Sequence, residues 1–356
     1  MEQHIGHRTF YENVRGFIDL APDIAAYWTE ITYFERDGWW ERLPLLSSHV
    51  RGTLRGRAQV RHGLQRYPAD VTLFNTHVPA ALAGSLNKRR PYVICTDITP
   101  RQYDRMAAHY NHKPDKGGPL ATYKHAVNLR MMRDAARVLP WSTWARTSLL
   151  QDYGVSPDRV EVIPPGVDIA IWQPKLRGDE NGRSVKILFV GGDFYRKGGH
   201  VLLQAFRALP PGTAELHLVT RTSIAEEEWV HVYPNLRPND PELVALYQSC
   251  DIFALPTEAE AFGIAAVEAG AVGLPVITTA VGGLTDIVVN GETGYLIQPG
   301  DVKALVHHFE RLIANPGLRR RLGANARTRV EHRFDGRKNA ARIAEILREL
   351  AEQGER

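Results

Sequence analysis

Short apolar runs alternate with helical stretches throughout the second half of the chain. Residues 185–190 (VKILFV) form an apolar run, which glycines and a helical stretch near 199–208 follow. The alternation continues with apolar runs at 216–219, 230–233, 252–255, 274–279 and 294–297, and with helical stretches at 241–250, 262–272, 283–289 and 301–314. Such alternation predicts a parallel sheet covered by helices on both faces. Ligands of these Rossmann-like sheets bind beyond the carboxyl ends of the strands.

The chain is long enough for two domains, because 356 residues exceed the size at which a single core keeps growing. The first half shows candidate strands at 69–74, 92–95, 135–139 and 160–163, and a helix at 119–133. A proline-containing, charged tract at 164–184 is typical of a linker. We therefore expect a first domain at 1–163, this linker, a second domain at 185–335 and a last helical segment at 336–356.

Composition indicates an ordinary globular protein of the cytoplasm. No apolar run reaches the roughly 18 residues that a membrane-spanning helix needs, and no secretory segment leads the chain. Cys95 and Cys250 lie far apart in predicted elements of different domains, so we expect two buried thiols and no disulfide.

Positive charge is concentrated in the first half of the chain. Residues 1–165 carry a net charge of +6 and the remainder −2. Much of the excess lies in residues 49–63, shortly after Trp39 and Trp40, as Arg51, Arg55, Arg57 and Arg61. This segment could bind an anionic membrane surface or a phosphorylated acceptor, or it could be a solvated helix face. Nucleic acid is not expected, since no recognised binding motif accompanies the charge.

The segment from 256 to 277 is the most informative for function. Glu260 lies in a loop, Phe262 and Gly263 open a predicted helix, and Glu268 lies inside that helix. Unpaired backbone N–H groups at a helix start attract phosphate. Glu268 is five residues beyond Gly263, hence about 7.5 Å further along, roughly the reach from a diphosphate to its ribose. The arrangement predicts a site for a nucleotide-activated sugar.

The same segment resembles the E-x7-E motif of the retaining glycosyltransferases of family 4. The resemblance extends to residues 163–168 (IPPGVD), 189–199 (FVGGDFYRKGG), 278–287 (TTAVGGLTDI) and 290–297 (NGETGYLI). It implies the α/β fold named GT-B, in which two Rossmann-like domains with parallel sheets face each other across a cleft. The resemblance also implies that the last helix crosses back to the first domain, and that the first domain binds the acceptor.

The resemblance assigns the phosphate-binding charges of the donor site. Lys197 matches the lysine that binds the diphosphate and neutralises the charge of the leaving nucleoside diphosphate. The family usually has a second cation directly after the preceding strand, where this chain has Gly191 and Gly192. The two glycines allow close backbone approach. Arg196, beside the lysine, is the candidate to supply the second positive charge.

The resemblance also assigns the contacts to sugar, ribose and base. Glu260 is expected to accept hydrogen bonds from sugar hydroxyls, and Glu268 to bind the ribose 2′- and 3′-hydroxyls. The loop backbone at the helix start is expected to hold the sugar and phosphate, and the base is expected to lie against residues 232–236. These further donor-binding candidates are Ala261, Phe262, Gly263, Ile264, Tyr233, Asn235 and Leu236.

The acceptor side is less well defined. The family often places a histidine after a strand of the first domain, and Thr96 stands at what looks like that position. Asp97, next to it, could position or deprotonate the acceptor hydroxyl. His77 and His7 are further catalytic candidates in predicted loops, although a lone loop histidine is more often structural.

No D-x-D pair occurs in the chain. Because metal-dependent transferases use such a pair to hold a divalent cation on the diphosphate, we expect metal-independent transfer. No cofactor is expected beyond the donor substrate. Retention implies that the acceptor attacks the face from which the diphosphate leaves, and the leaving phosphate can itself accept the acceptor proton. The donor sugar, the base and the acceptor are left open by the sequence.

Two other functions remain open. One is a different GT-B activity, such as a nucleotide-sugar epimerase or a phosphorylase. The other is a catalytically impaired subunit that binds a nucleotide sugar, which Gly192 in place of arginine favours. The opening residues 1–7 look like a glycine-containing loop without its preceding strand. We therefore expect either that the true start lies upstream or that the first sheet lacks its opening strand, and favour the upstream start.

Overall fold

The chain forms two compact units. The computed structural model describes residue 1 and residues 5–34, 46–114, 117–175, 183–225 and 227–354. Unit 1 comprises Met1–Arg105, Lys113–Pro165 and Arg337–Arg356, and unit 2 comprises Met106–His112 and Gly166–Gly336. Trp39, Trp40, residues 2–4 of the predicted opening loop and residues 176–182 of the predicted linker lie outside the described residues.

Unit 1 is built on a small parallel sheet. The strands β1 (Thr72–Phe74), β2 (Tyr92–Thr96) and β3 (Arg137–Pro140) pair in the order β1-β2-β3. Val138 also forms a parallel bridge with Val160, where the sequence predicts a fourth strand. The helices in the first part of the chain are α1 (Ile5–Ile18), α2 (Ser48–Arg66), α3 (His77–Ala83), α4 (Pro100–Arg105), α5 (Pro119–Asp134) and α6 (Thr143–Gln151).

The core of unit 1 explains why α1 is helical. Phe10, Val14 and Ile18 are buried and recur every four residues, so they lie on one face of a helix. The prediction that His7 lies in a loop is wrong, because it falls in the first turns of α1. The apolar spacing that follows it favours a helix over a glycine loop.

Unit 2 has the predicted alternation of strands and helices. Its strands are β4 (Val185–Val190), β5 (Ala214–Val219), β6 (Val230–Val232), β7 (Ile252–Leu255), β8 (Val276–Thr279) and β9 (Gly294–Ile297). Its helices are α7 (Gly199–Arg207), α8 (Pro241–Ser249), α9 (Ile264–Ala271), α10 (Leu284–Ile287), α11 (Val302–Ile313) and α12 (Pro316–Arg333). The predicted parallel sheet is confirmed.

The strand order of unit 2 locates its binding edge. All six strands are parallel in the order β6-β5-β4-β7-β8-β9, so the direction of winding reverses between β4 and β7. Ligands of open parallel sheets bind at the carboxyl ends of the strands that flank such a reversal. The loops that follow Val190 and Leu255 are therefore the expected place for a site.

The last helix, α13 (Gly336–Gly354), belongs to unit 1 from Arg337 onward. The Arg342 guanidinium donates to both carboxylate oxygens of Glu161 at 2.8 and 2.9 Å, and Arg348 donates to Asp23. The bond from Arg342 holds the pKa of the Glu161 carboxyl below its ordinary value. Such two-pronged arginine–carboxylate pairs fix orientation as well as adding energy. The α13 helix is thereby anchored within unit 1.

The basic segment of residues 49–63 lies in α2. Arg57 and Arg61 are exposed, whereas Arg55 is only 8% exposed, so the four arginines do not share one solvated face. Within the described residues, no helix combines the length and apolar composition that a membrane span requires. Cys95 and Cys250 are buried free thiols, as predicted, and burial raises the pKa of Cys95 to about 12.

Candidate functional site

Lys197 and Glu260 form an ion pair in the loops that follow β4 and β7. The Lys197 ammonium contacts Oε2 of Glu260, and both side chains are less than one-fifth exposed. The backbone N–H of Glu258 donates to the carbonyl of Arg196 at 2.9 Å, which joins the two loops directly. The two residues that the sequence assigns to diphosphate and sugar are thus adjacent at the point where the winding of the sheet reverses.

Glycine makes the close approach of these loops possible. Gly198 has a left-handed backbone with φ of 77°, and a Cβ there would lie 1.9 Å from the carbonyl oxygen of Pro256. A side chain at Gly191 would press against the stem of Lys197 at 3.0 Å. Any larger residue at Gly198 would force the two loops apart, since real Cβ contacts do not approach so closely.

The start of α9 offers unpaired backbone donors. The helix runs from Ile264, two residues later than predicted, because Gly263 before it has φ of 106° and is not helical. Ala266 and Val267 donate to the Gly263 carbonyl, whereas the N–H groups of Gly263, Ile264 and Ala265 donate to no acceptor among the described residues. These N–H groups carry the positive end of the helix dipole, which favours an anion. Ala261 and Phe262, just before them, are buried.

Glu268 lies inside α9 as a buried carboxyl. It is 5% exposed, and the Tyr247 hydroxyl donates to its Oε2 at 2.9 Å. Burial raises the pKa of Glu268 to about 7, although the bond from Tyr247 opposes this increase. A buried carboxyl with a raised pKa, in the same helix as the unpaired N–H groups, is a candidate functional position.

Arg196 is already occupied by partners within unit 2. Its guanidinium donates to Asp193 at 3.1 Å and to the Ala259 carbonyl at 2.9 Å. The ring of Tyr110 also lies 4.7 Å from the guanidinium carbon. A phosphate oxygen would have to compete with the Asp193 carboxylate for this cation. The role of Arg196 in binding the donor stays a prediction.

Tyr110 belongs to a short segment, Met106–His112, that groups with unit 2. His109 in this segment places Nδ1 at 3.1 Å from Oε2 of Glu258, and His200 places Nε2 at 3.6 Å from Oε1 of the same residue. The segment therefore packs beside the loop that carries Glu260. Sequence patterning had placed it with the first domain, since contacts between distant parts of a chain leave no periodic signal.

Arg221 is a cation that the sequence analysis missed. It lies two residues beyond the end of β5, is exposed, and makes no ion pair or hydrogen bond with any residue that the structure describes. Its Nη2 lies 3.8 Å from the position that a Cβ on Gly192 would take. Arg221 thus projects its charge to where the family has arginine and this chain has Gly192. The sequence could have indicated Arg221 as a candidate, because it lies just after the end of a predicted strand, where ligands of parallel sheets bind.

The residues predicted to contact the base follow β6. Tyr233 is half-buried, its N–H donates to Leu218 at 2.8 Å, and its hydroxyl lies 3.0 Å from Nδ1 of His217. Asn235 is exposed and Leu236 is half-buried. The side chains of Asn235 and Leu236 are thus available to a ligand, but their contact with a base stays a prediction.

In unit 1 the structure brings together two of the acceptor-side candidates. Nε2 of His7 lies 3.5 Å from Oδ1 of Asp97, and the His7 ring packs against Trp141 with centroids 5.1 Å apart. His77 is the first residue of α3, after the Thr76 cap, rather than part of a loop. A histidine paired with a carboxylate can pass on a proton from a hydroxyl.

Two family models together match most of the chain. The model "Glycosyltransferase Family 4" matches residues 32–171, and "Glycosyl transferases group 1" matches residues 173–329. The chain belongs to the group 1 glycosyltransferases. The resemblance given by the motifs around Lys197, Glu260 and Glu268 is thereby confirmed.

Curated relatives are similar over part of their length. The capsular polysaccharide biosynthesis glycosyltransferase CapM of Staphylococcus aureus is 37% identical over 160 residues, which are 41% of each chain. A D-inositol 3-phosphate glycosyltransferase of Pseudarthrobacter chlorophenolicus is 31% identical over 57% of this chain and 53% of its own. The chain thus spans about half the length of the curated relatives that it matches.

Solved structures of low identity share the fold. A sucrose-phosphate synthase from Thermosynechococcus elongatus has a TM-score of 0.68 at 23% identity, over 90% of this chain and 80% of its own. The Anabaena protein HepE, in complex with UDP and glucose, has a TM-score of 0.69 at 19% identity over 96% of both chains. The predicted α/β fold of the GT-B class, with two parallel sheets, is confirmed.

Proposed function

We propose that the chain is a retaining, metal-independent glycosyltransferase that moves a hexose-type sugar from a nucleoside-diphosphate sugar to a hydroxyl acceptor. The single observation that carries the proposal is the ion pair of Lys197 and Glu260 beside the unpaired N–H groups of α9. Family membership supports the reaction class. The crystallisation of HepE with UDP and glucose makes uridine nucleotides the first donors to try.

In this proposal the ion pair opens when the donor binds. The Lys197 ammonium turns from Glu260 to the diphosphate, and Glu260 becomes free to accept hydrogen bonds from sugar hydroxyls. A carboxylate and an ammonium that neutralise each other while buried avoid the cost of an unpaired buried charge. The donor then supplies both replacement partners, an anion for the lysine and hydroxyl donors for the glutamate.

Arg221 supplies the second positive charge in this proposal. Arg196 is held by Asp193 and Ala259, whereas Arg221 has no partner among the described residues and lies beside Gly192. As the bond from the sugar to the diphosphate breaks, negative charge grows on the leaving oxygen. Cations that face this charge lower the barrier because their attraction to it strengthens as the charge develops.

The acceptor hydroxyl attacks the anomeric carbon from the face that the diphosphate leaves. The carbon–oxygen bond to the diphosphate breaks, a new glycosidic bond forms, and the acceptor proton passes to an oxygen of the departing diphosphate. The pair of His7 and Asp97 is the candidate to orient the acceptor in unit 1. Cytoplasmic location and membrane contact through the basic segment of residues 49–63 stay predictions.

Nucleoside diphosphate release tests the proposal. Purified full-length protein is incubated with uridine, guanosine and adenosine diphosphate sugars, with and without hydroxyl acceptors and with a chelator present. We expect release with one donor class, undiminished by the chelator, and a product whose anomeric configuration is that of the donor. An inverted product would exclude retention, and loss of release on chelation would exclude metal independence.

A second candidate function is a subunit that binds a nucleotide sugar without transferring it. The observation that favours it is Gly192 at the usual place of an arginine, with Arg196 tied to Asp193. Donor binding with no release or sugar transfer for any donor and acceptor would support this candidate instead.

A further inference from the structure

Three side chains with metal-ligand chemistry converge on one face of the sheet of unit 2. Glu215 and His217 are two residues apart on β5, so they point to the same face. His231 on β6 is the register partner of His217. One ligand atom from each of the three lies within 4.8 Å of the others. The cluster lies at the edge of the sheet, because β6 is the last strand.

The distances between these atoms are close to those of a tetrahedral site. Nε2 of His217 lies 3.5 Å from Oε2 of Glu215, and Nε2 of His231 lies 3.8 Å from the same oxygen. A tetrahedral zinc ion with bonds of 2.0–2.1 Å holds its ligand atoms about 3.3 Å apart. The rings of His217 and His231 are stacked with centroids 4.8 Å apart, so binding of one ion requires the exposed His231 ring to turn its Nε2 toward the other two ligand atoms.

His217 is oriented as a ligand rather than as a hydrogen-bonded core residue. It is 5% exposed, and its Nε2 has no hydrogen-bond partner among the described residues. Its other ring nitrogen, Nδ1, lies 3.0 Å from the Tyr233 hydroxyl. Metal-binding histidines usually have their second nitrogen fixed in this way, which points the first one at the ion.

The surroundings permit an ion to enter. His231 is about half-exposed and the Glu215 side chain about one-fifth exposed, so the cluster opens to solvent on one side. The nearby cation is Lys186 on β4, whose Nζ lies 3.9 Å from Oε2 of Glu215. This contact is longer than a hydrogen bond, and the flexible lysine stem can move its charge outward when a metal ion enters.

We propose that Glu215, His217 and His231 bind one Zn²⁺ ion, with the fourth position taken by water. Two imidazoles and one carboxylate with an open position form a recurrent zinc ligand set. The ion would fasten the three-residue strand β6 to β5 and, through His217, hold the Tyr233 hydroxyl. The cluster is distinct from the Lys197–Glu260 pair. The proposed zinc ion has a structural role, so sugar transfer itself can still proceed without a metal ion.

Zinc titration of the tag-free, chelator-treated full chain tests the proposal. Calorimetry should show one tightly bound Zn²⁺ whose affinity falls at least about a hundredfold in both His231→Gln and Glu215→Gln. Tyr233→Phe should weaken binding about tenfold, since outer partners of zinc ligands have effects of that size. At a free Zn²⁺ concentration a hundred times the Kd, the melting temperature should rise by about 5 °C.

His332→Gln is the matched control. His332 is an exposed histidine of α12 outside the cluster, so this variant should bind Zn²⁺ like the unmodified chain. His231 is also about half-exposed, which makes His231→Gln a change that the fold should tolerate. Failure of the unmodified chain to bind Zn²⁺ would overturn the proposal. Unchanged binding in either His231→Gln or Glu215→Gln would do the same, because it would locate the ion elsewhere.

Discussion

Glu268→Gln should stabilise the protein at alkaline pH while removing a predicted ribose contact. Burial raises the pKa of Glu268 from 4.5 to about 7, so the folded state holds a proton that the unfolded state has released between those pH values. Stability is therefore lost as the pH rises from about 4.5 to about 7, by about 3 kcal/mol in all. Above the folded pKa the loss is complete, and glutamine, which cannot ionise, avoids it.

Urea unfolding of the two proteins at about pH 8 and about pH 5 measures the effect. We expect Glu268→Gln to be more stable than the unmodified chain by about 3 kcal/mol at the higher pH and by less than about 1 kcal/mol at the lower one. The amide oxygen can still accept the hydrogen bond from Tyr247, so this contact is kept in both. Glu310→Gln, on the exposed face of α11, is the control and should leave the pH dependence unchanged.

Two results would refute this reasoning. Equal stability of Glu268→Gln and the unmodified chain at both pH values would mean that the carboxyl ionises without cost. Undiminished donor affinity in Glu268→Gln would mean that the buried acid does not bind the ribose. If the carboxylate is the binding form, the donor affinity of the unmodified chain should also fall about tenfold between about pH 8 and about pH 6.

The remaining predictions concern the charges of the two units. Arg221→Ala should lower the rate of sugar transfer by about tenfold or more. Gly192→Arg in the same chain should restore part of that rate, since a Cβ at Gly192 meets nothing closer than 3.8 Å. Absence of any rescue in steady-state kinetics would count against the idea that Arg221 replaces an arginine at position 192. Lys197→Met should lower kcat about a hundredfold or more. Its circular dichroism spectrum should match that of the unmodified chain, which shows that folding is intact. A normal kcat would mean that the lysine has no role in catalysis. If Asp97 orients His7, Asp97→Asn should reduce sugar transfer to the acceptor more than it reduces hydrolysis of the donor. An equal reduction of both reactions in a product assay would contradict that role.

The sequence predicted unit 2 well because most of its strands, though not the edge strand β6, are buried on both faces. Runs such as residues 185–190 are continuously apolar, and glycines or helical stretches bound them clearly. In unit 1 the strands are short, and Thr72–Phe74 has only three residues, so the predicted strand at 69–74 was too long. The α1 helix was missed because Gly6, next to His7, suggested a loop, whereas the burial of Phe10, Val14 and Ile18 decides the local structure.

Local motifs singled out Lys197, Glu260 and Glu268 as candidates, but they did not indicate the partners of the neighbouring cations. Arg196 and Asp193 are only three residues apart in the sequence, so their ion pair could have been predicted. The contact between Arg196 and Tyr110 joins segments 86 residues apart, so it could not. The approach of Arg221 to Gly192 depends on the pairing of β4 with β5. Contacts between neighbouring strands are fixed by the sheet order, which no single stretch of sequence contains.

The distribution of paired and unpaired charges indicates how a diphosphate would first be recognised. Lys197 is neutralised by Glu260 and Arg196 by Asp193, so neither contributes a net positive charge before a ligand binds. Arg221 has no partner in the described part of the chain, so it contributes a full positive charge. An approaching donor would therefore meet Arg221 first, and Lys197 would join only after leaving Glu260. Because exposed charges are screened by salt, the association rate of the donor should fall with ionic strength in the unmodified chain and lose most of that dependence in Arg221→Ala.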